Sequence, residues 1–339
     1  MQNKVSRPRG YLFILTGSFL SLFIVLFFVF EAYTIIEQQE ANGPLPPFFG
    51  NFERVRKVLS DAPRKETFEF AVFGDTGSTG TFERIVEKLR ETPVDFAVLL
   101  GDAFKWKNQD KYFLAESKDE FLLPFPVLYI MGNNELKFMS VSRFEELFGP
   151  TLFSFEYQDC LFIVLRMIDE PQSNQESINF LKSFLPEKTA EYRKIFVFMH
   201  IPPPIPTFDT QMFYAPGELI PLFDKQKVNY VLSGHYHGYT RTKFSNTNYI
   251  VSGGGGSSLK NKIIQQFFHA VIIRVGKDYE EERIIHVPES IDIEDLIERF
   301  AIVTMYPWLK QNRVLVGIIN TALLVVLIWF CGCFYRHIR

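Results

Sequence analysis

From residue 67 onward the chain is punctuated by short apolar runs at 68–73, 96–100, 127–131, 161–167, 195–199, 228–232, 249–251 and 270–275. Each is rich in Val, Ile and Phe and is bounded by Gly, Pro or Asp, a pattern that predicts buried strands. Between the early runs lie stretches with helical spacing of apolar residues, at 81–91, 141–147 and 177–185. Strands alternating with helices predict an α/β domain with at least partly parallel sheets. The last runs have no helix between them, so an antiparallel part or a second sheet is expected there.

Longer apolar stretches flank this pattern. Residues 11–30 carry no charge and are long enough to cross the ~30 Å hydrocarbon core as a helix; Glu31 closes the stretch. The apolar region of a cleaved signal peptide is usually only ~7–15 residues, so an uncleaved anchor is expected. Residues 314–335 are again apolar apart from Asn320, and Trp308 precedes them as an interfacial residue would. The basic residues Lys4, Arg7 and Arg9, set against Glu31, Glu37 and Glu40, place the N-terminus in the cytoplasm. Lys310 and Arg313 tie with Arg336 and Arg339 around the second span, so orientation rests on the first helix.

The expected organisation is a cytoplasmic tail at 1–10, a transmembrane helix at 11–32 and a linker at 33–66, with a short helix over 51–60. A large domain at 67–287 lies outside the cytoplasm, anchored to a bacterial cell membrane rather than facing a eukaryotic lumen. A juxtamembrane segment follows at 288–312, then a second transmembrane helix at 313–335 and a cytoplasmic tail at 336–339. Within the juxtamembrane segment most of Ile291, Ile293, Leu296, Ile297 and Phe300 share one helical face, which packs on the domain or lies at the membrane surface.

Composition narrows the function. Hydrophobic residues make up 47% and Phe alone numbers 37, in keeping with membrane segments. A net charge of −3 gives no basic surface for a polyanion, so nucleic acid is not an expected partner. Of three cysteines, Cys331 and Cys333 lie in the second apolar stretch and Cys160 stands alone, which excludes a disulfide framework and a thiolate zinc site. Two spans with only Asn320 polar inside offer no pathway for a transporter.

The chemistry sits where the strands end. Gly74-Asp75 follows the first run and Gly101-Asp102 the second; Gly132-Asn133-Asn134-Glu135 follows the third. His200 ends a later one, and Gly234-His235-Tyr236-His237 another. Ligands of α/β sheets bind beyond the carboxyl ends of strands. In extended backbone, residues i and i+2 point to one side, so His235 and His237 can face a common point. Asp75, Asp102, Asn133, His200, His235 and His237 together form an oxygen and nitrogen donor set suited to Zn, Mn or Fe.

This ordered set resembles the calcineurin-like metallophosphoesterases, with further likeness at residues 148–155, 161–165, 200–203 and 249–256 and some features of purple acid phosphatases. The resemblance covers about residues 67–275. It implies a sandwich of two mixed β-sheets flanked by helices, with two divalent metal ions at the centre. By that resemblance Asp102 bridges both ions; Asn133, His200 and His235 complete one, and Asp75 and His237 serve the other. It also implies attack on phosphorus by a hydroxide held between the ions, with Asn134 and His235 as the catalytic residues.

Two positions depart from the family pattern. Gly77 stands where a metal-ligating histidine is usual. In purple acid phosphatases, which also have glycine there, a tyrosine supplies the ligand, and that slot is Lys105. Asn134 stands where a histidine helps protonate the leaving group; an amide donates a hydrogen bond but transfers no proton usefully. Lys105 is read as a solvated loop residue, with positive charge near the first metal position as the alternative. Phe104, Trp106, Phe208, Phe213 and Tyr214 lie near the motifs and are read as core packing rather than an apolar rim. The expected function is a membrane-anchored, metal-dependent phosphoesterase acting on a phosphate mono- or diester of a small molecule, lipid or envelope polymer. The alternative is a non-catalytic relative that binds a phosphorylated ligand or partner.

Overall fold

A computed structural model describes residues 7–338 except 52, 78–79, 106, 108, 185–188, 190, 206–215, 260–263 and 292. The chain divides into two compact units, Pro44–Asp295 and a second made of Met1–Gly43 with Leu296–Arg339.

Among the described residues the larger unit holds eleven strands: β1 (Phe68–Phe73), β2 (Phe96–Leu99), β3 (Val127–Tyr129), β4 (Phe153–Tyr157), β5 (Cys160–Val164), β6 (Lys194–Met199), β7 (Tyr230–Ser233), β8 (Tyr239–Phe244), β9 (Thr247–Ser252), β10 (Phe268–Val275) and β11 (Glu280–Val287). They form a five-stranded sheet in the order β11-β10-β1-β2-β3 and a six-stranded sheet in the order β4-β5-β6-β7-β9-β8. Both are mixed. β1, β2 and β3 run parallel while β10 and β11 are antiparallel; β5, β6, β7 and β9 run parallel while β4 and β8 are antiparallel. The α/β fold of two mixed sheets flanked by helices is the one the sequence predicts.

Alternation along the strands builds the layers. In β1, Phe68, Phe70 and Val72 join the core that also holds Phe162, Phe196 and Phe198 of the other sheet. Ala71 and Phe73 turn the other way, into the core that Phe82, Ile85 and Leu89 of the helix Gly80–Arg90 complete. In β5, Cys160, Phe162 and Val164 join the shared core, whereas Leu161 and Ile163 pack with Ile178 and Leu181 of the helix Pro171–Lys182. Phenylalanine fills the middle layer: Phe70 stacks on Phe96 with centroids 5.1 Å apart, and Phe162 on Phe196 at 5.0 Å. Phe104 packs in the core beside Phe113; Trp106, Phe208, Phe213 and Tyr214 lie outside the described residues.

Several boundaries differ from the sequence expectation. The runs at 127–131 and 161–167 end as strands at Tyr129 and Val164, because the residues beyond them turn into loops. The helix expected at 177–185 is Pro171–Lys182, started by Pro171 in its first turn, where a missing N–H costs nothing. The domain starts before residue 67. Within the expected linker, Phe49 is buried and bridges to Val127, Asn51 donates to Tyr129 O at 2.7 Å, and Glu53–Ser60 is helical.

In the smaller unit one helix runs Arg7–Glu40, well past Glu31, since no Gly or Pro follows Glu31 before Gly43-Pro44. Ile293–Arg299 is a helix that continues as a π-helix over Phe300–Met305, and a last helix spans Arg313–Ile338. Ile14–Gln39 and Arg313–Cys333 are long and apolar enough to cross a membrane.

Candidate metal centre

Five strands deliver the site. Phe73 is opposite Leu99, Leu99 opposite Tyr129, and Met199 opposite Ser233, so the carboxyl ends of neighbouring strands stand level. Asp75, Asp102 and Asn133 leave the first sheet there, and His200, His235 and His237 leave the second.

The backbone is drawn tight at these exits. Asp75, Asp102 and His235 all adopt left-handed φ, at 57°, 55° and 71°, which costs of the order of 1–3 kcal/mol each unless the surroundings hold it. They are held. The Asp75 N–H donates to Gly101 O at 2.9 Å, the His235 N–H to Asp75 Oδ2 at 2.7 Å and the Asp102 N–H to Glu135 Oε2 at 2.9 Å. Two glycines make the approach possible. A Cβ on Gly101 (φ 90°) would stand 2.7 Å from His200 Nδ1, and one on Gly132 would stand 2.6 Å from both Asp102 N and Glu135 Oε2.

Four donor atoms converge. His200 Nε2 lies 2.9 Å from Asn133 Oδ1, 3.3 Å from Asp102 Oδ1 and 3.3 Å from His235 Nδ1, and His235 Nδ1 lies 3.0 Å from Asn133 Oδ1. Two donors bound to one ion at ~2.1 Å stand about 3.0 Å apart at right angles and about 3.4 Å apart in a tetrahedron. The observed separations are the edges of such a polyhedron. His200 Nδ1 lies 2.7 Å from Leu100 O, which assigns a hydrogen to Nδ1 and turns Nε2 to the cluster, the usual support of a ligating imidazole. Asp102, His200 and His235 could therefore hold a metal ion, with Asn133 as a fourth ligand.

The electrostatics fit a cation. Burial alone would lower His200, but the charge and hydrogen bond of Asp102, joined by Asp75, raise it to about 10. Burial pushes Asp102 up, yet His200 and the Asn134 N–H bring it below the ordinary carboxylate value. Acids that keep a proton on the imidazole facing them offer the same place to a metal ion, whose binding displaces that proton. His235 is pushed down to about 3 by burial and the neighbouring His200 charge, leaving its Nδ1 a neutral donor.

On the other side of Asp102 stand Asp75 and His237. Burial, with the Asp102 charge adding to it, holds the Asp75 carboxyl well above its usual range. Its Oδ1 is buried without a hydrogen-bond partner and lies 3.6 Å from His237 Nε2. His237 Nδ1 lies 2.8 Å from Ser258 O, so Nε2 is the nitrogen presented to Asp75. All six residues singled out in the sequence thus stand together at these strand ends.

Three neighbours matter that the motif alone does not explain. Glu135 is fully buried, and its carboxylate accepts from the N–H groups of Asp102, Ala103 and Gly132 and from the Tyr129 hydroxyl at 2.7–2.9 Å. Burial and the Asp102 charge push it up to about 7. Its spacing from Gly132, that of a glutamate reaching back to a helix start, is the signal that could have found it. Asn134 donates from Nδ2 to Asp102 Oδ2 at 2.7 Å and accepts from Lys137 Nζ at 2.8 Å, so one amide hydrogen orients Asp102 rather than a substrate. Lys105 is half-buried rather than solvated, and a Cβ on Gly77 would lie 3.4 Å from its Cε and 3.7 Å from its Nζ.

Comparison with curated proteins returns no match. Among solved structures, the anchor protein of the inner membrane complex of Plasmodium is 15% identical with a TM-score of 0.52, covering 70% of this chain and 95% of its own. A purple acid phosphatase from yellow lupin seeds is 17% identical with a TM-score of 0.50, over 69% of this chain and 55% of its own, so this chain spans about half the lupin enzyme. A dimetal phosphatase from Danio rerio is 14% identical with a TM-score of 0.44, over 65% and 99%. At such identities the first two likenesses are of fold. The family model for calcineurin-like phosphoesterases matches residues 68–239, just over half of the 339 residues and the span from β1 to the histidine pair; the chain belongs to the calcineurin-like phosphoesterase family.

Proposed function

We propose that this protein is a metal-dependent phosphoesterase, its active domain held at a membrane by two spanning helices and facing away from the cytoplasm. The observation that carries the reading is the convergence of Asp102, Asn133, His200 and His235, whose donor atoms stand one coordination edge apart around a nitrogen turned inward by Leu100 O. A divalent Mn, Fe or Zn ion held there would supply positive charge to a phosphoryl oxygen and would lower the pKa of a water. In the dinuclear centre usual for the family, a second ion would draw on Asp75, Asp102 and His237.

The chain's own residues do the rest. Asn134 fixes the angle of Asp102 through Nδ2, and its second amide hydrogen can meet a phosphate oxygen. Neither Asn134 nor neutral His235 delivers a proton to a departing alkoxide at neutral pH. Without general-acid help, typically worth 10²–10⁴-fold, the substrates are phosphate mono- or diesters whose leaving groups are already good anions. Small molecules, lipid headgroups and envelope polymers share this phosphate chemistry. The second reading, a non-catalytic domain that binds a phosphorylated partner, draws on the same two departures, Gly77 and Asn134.

The test uses the full chain purified in detergent with Mn²⁺ and aryl phosphate mono- and diesters of graded leaving-group pKa. Metal-dependent turnover is expected, falling steeply as the leaving group becomes more basic, and His235→Ala should lower it by at least about 10³-fold. Phosphate binding without metal-dependent turnover of any ester would sink the catalytic reading and leave the binding one.

A further inference from the structure

The two sides of Asp102 are unequal. One side has four side-chain donors at coordination spacing. The other has Asp75 Oδ1 and His237 Nε2, with Asp102 shared, and no side chain from residue 77. Gly77 occupies the position from which a family member would send an imidazole, and its backbone N–H is tied to Asp102 O at 3.3 Å. The space in front of it is taken: Lys105 Cε and Nζ lie 3.4 and 3.7 Å from where the first side-chain carbon would be, and Ser257 Oγ lies 2.8 Å away.

Lys105 thus stands beside the position from which a further ligand to this side would come. A lysine ammonium repels a divalent ion at close range and ligates none. It does what such an ion does for a substrate in one respect: it is a compact point charge with three N–H donors that can meet phosphate oxygens. An ammonium opposite a single metal ion leaves a phosphate bracketed by two cations.

We propose that Lys105 is the second cation of this centre, so that the protein binds one metal ion, on Asp102, Asn133, His200 and His235, and takes the substrate phosphate between that ion and the Lys105 ammonium. The proposal rests on the phosphoesterase reading, and it adds that the side of the centre carrying Asp75 and His237 is closed to metal. The reaction then proceeds with activation of water from one side only.

The test is metal stoichiometry in the full chain, titrated with Mn²⁺ alone and followed by calorimetry and electron paramagnetic resonance. The wild type should saturate at one ion per chain with the spectrum of an isolated Mn²⁺. Lys105→Tyr, which replaces the ammonium by a phenolic ligand, should take up two ions and show exchange coupling between them. Lys105→Met should keep the fold and weaken the binding of inorganic phosphate to the Mn²⁺-loaded protein by about tenfold or more, the loss of a charged hydrogen bond. Two ions per wild-type chain, or phosphate affinity unchanged in Lys105→Met, would overturn the proposal while leaving metal-dependent hydrolysis intact. A wild type that binds no ion under any condition would overturn both, whereas one ion per chain without turnover would support the Lys105 assignment and count against the enzyme.

Discussion

A single buried carboxylate, Glu135, holds the loops of the candidate centre together. It gathers three backbone N–H groups from two loops and one phenol, two donors on each oxygen. Changing it to Gln turns two of those acceptor contacts into a donor facing donors. Leaving buried groups unpaired costs about 1–3 kcal/mol each, so Glu135→Gln should destabilise the fold by roughly 2–4 kcal/mol. Because Asp102 would lose its support, metal affinity should also fall about 10–100-fold. Thermal melting and Mn²⁺ titration of the same sample measure both; a variant that melts normally and binds Mn²⁺ normally would show that Asp102 is positioned by something else. At this scale the sequence was most informative. Asp75, Asp102, Asn133, His200, His235 and His237 are legible as a donor set, because a metal would demand particular donor atoms. Glu135 is not, and Lys105 is so only through its slot in the family pattern, since a carboxylate that orients another residue and a lysine turned inward read like any surface charge until the chain is folded.

The elements were legible in proportion to how deeply they are buried. Strands β1, β2, β5, β6 and β10 are buried along nearly their whole length and carry continuous apolar runs. Strands β8 (YTRTKF) and β11 (EEERIIHV) are edges with one wet face and no comparable run. The helix Gln109–Glu120 has scarcely any apolar stripe, and Asn133–Phe138 is too short to show a period. Strand β10 carries a prediction of its own. His269 is fully buried, between Ser252 Oγ at 3.1 Å from Nε2 and Phe267 O at 3.0 Å from Nδ1, and its N–H donates to Gly254 O at 2.9 Å. Burial pushes it down to about 4, with His286 adding to the fall. An unfolded histidine takes up its proton near pH 6.5, before the folded one does, so this site favours unfolding as pH drops from about 6.5 to about 4. The shift corresponds to roughly 3 kcal/mol at most. Melting temperature should fall over that window, and His269→Gln should remove part of the fall even if it lowers stability at neutral pH. Parallel pH profiles for the two proteins would count against the assignment.

The apolar ends of the chain form a unit of their own, and there the sequence misled in one respect. Glu31 reads as the close of the first span, because a charge inside hydrocarbon is costly. Instead the helix continues to Glu40, and the Asn320 amide of the last helix donates to both Glu31 oxygens, at 3.1 and 2.8 Å. Gly17 meets Phe330 on the same pair of helices, where a Cβ would approach the ring to 2.8 Å. Position rises on one helix as it falls on the other, so the two run antiparallel and pack through a small residue at one level and a polar pair at another. Small residues and interhelical hydrogen bonds hold helices together in lipid, where apolar surface alone gives no preference for protein over acyl chain. Asn320→Leu leaves the Glu31 carboxylate among apolar side chains without this donor, and should lower the melting temperature of the full chain in detergent by a change worth about 1–3 kcal/mol. Glu31→Leu in the same background removes the stranded charge and should recover most of the loss. Additive losses in the double variant would mean that the two residues stabilise the helices independently, and the pair would then be a consequence of helix packing and not one of its causes.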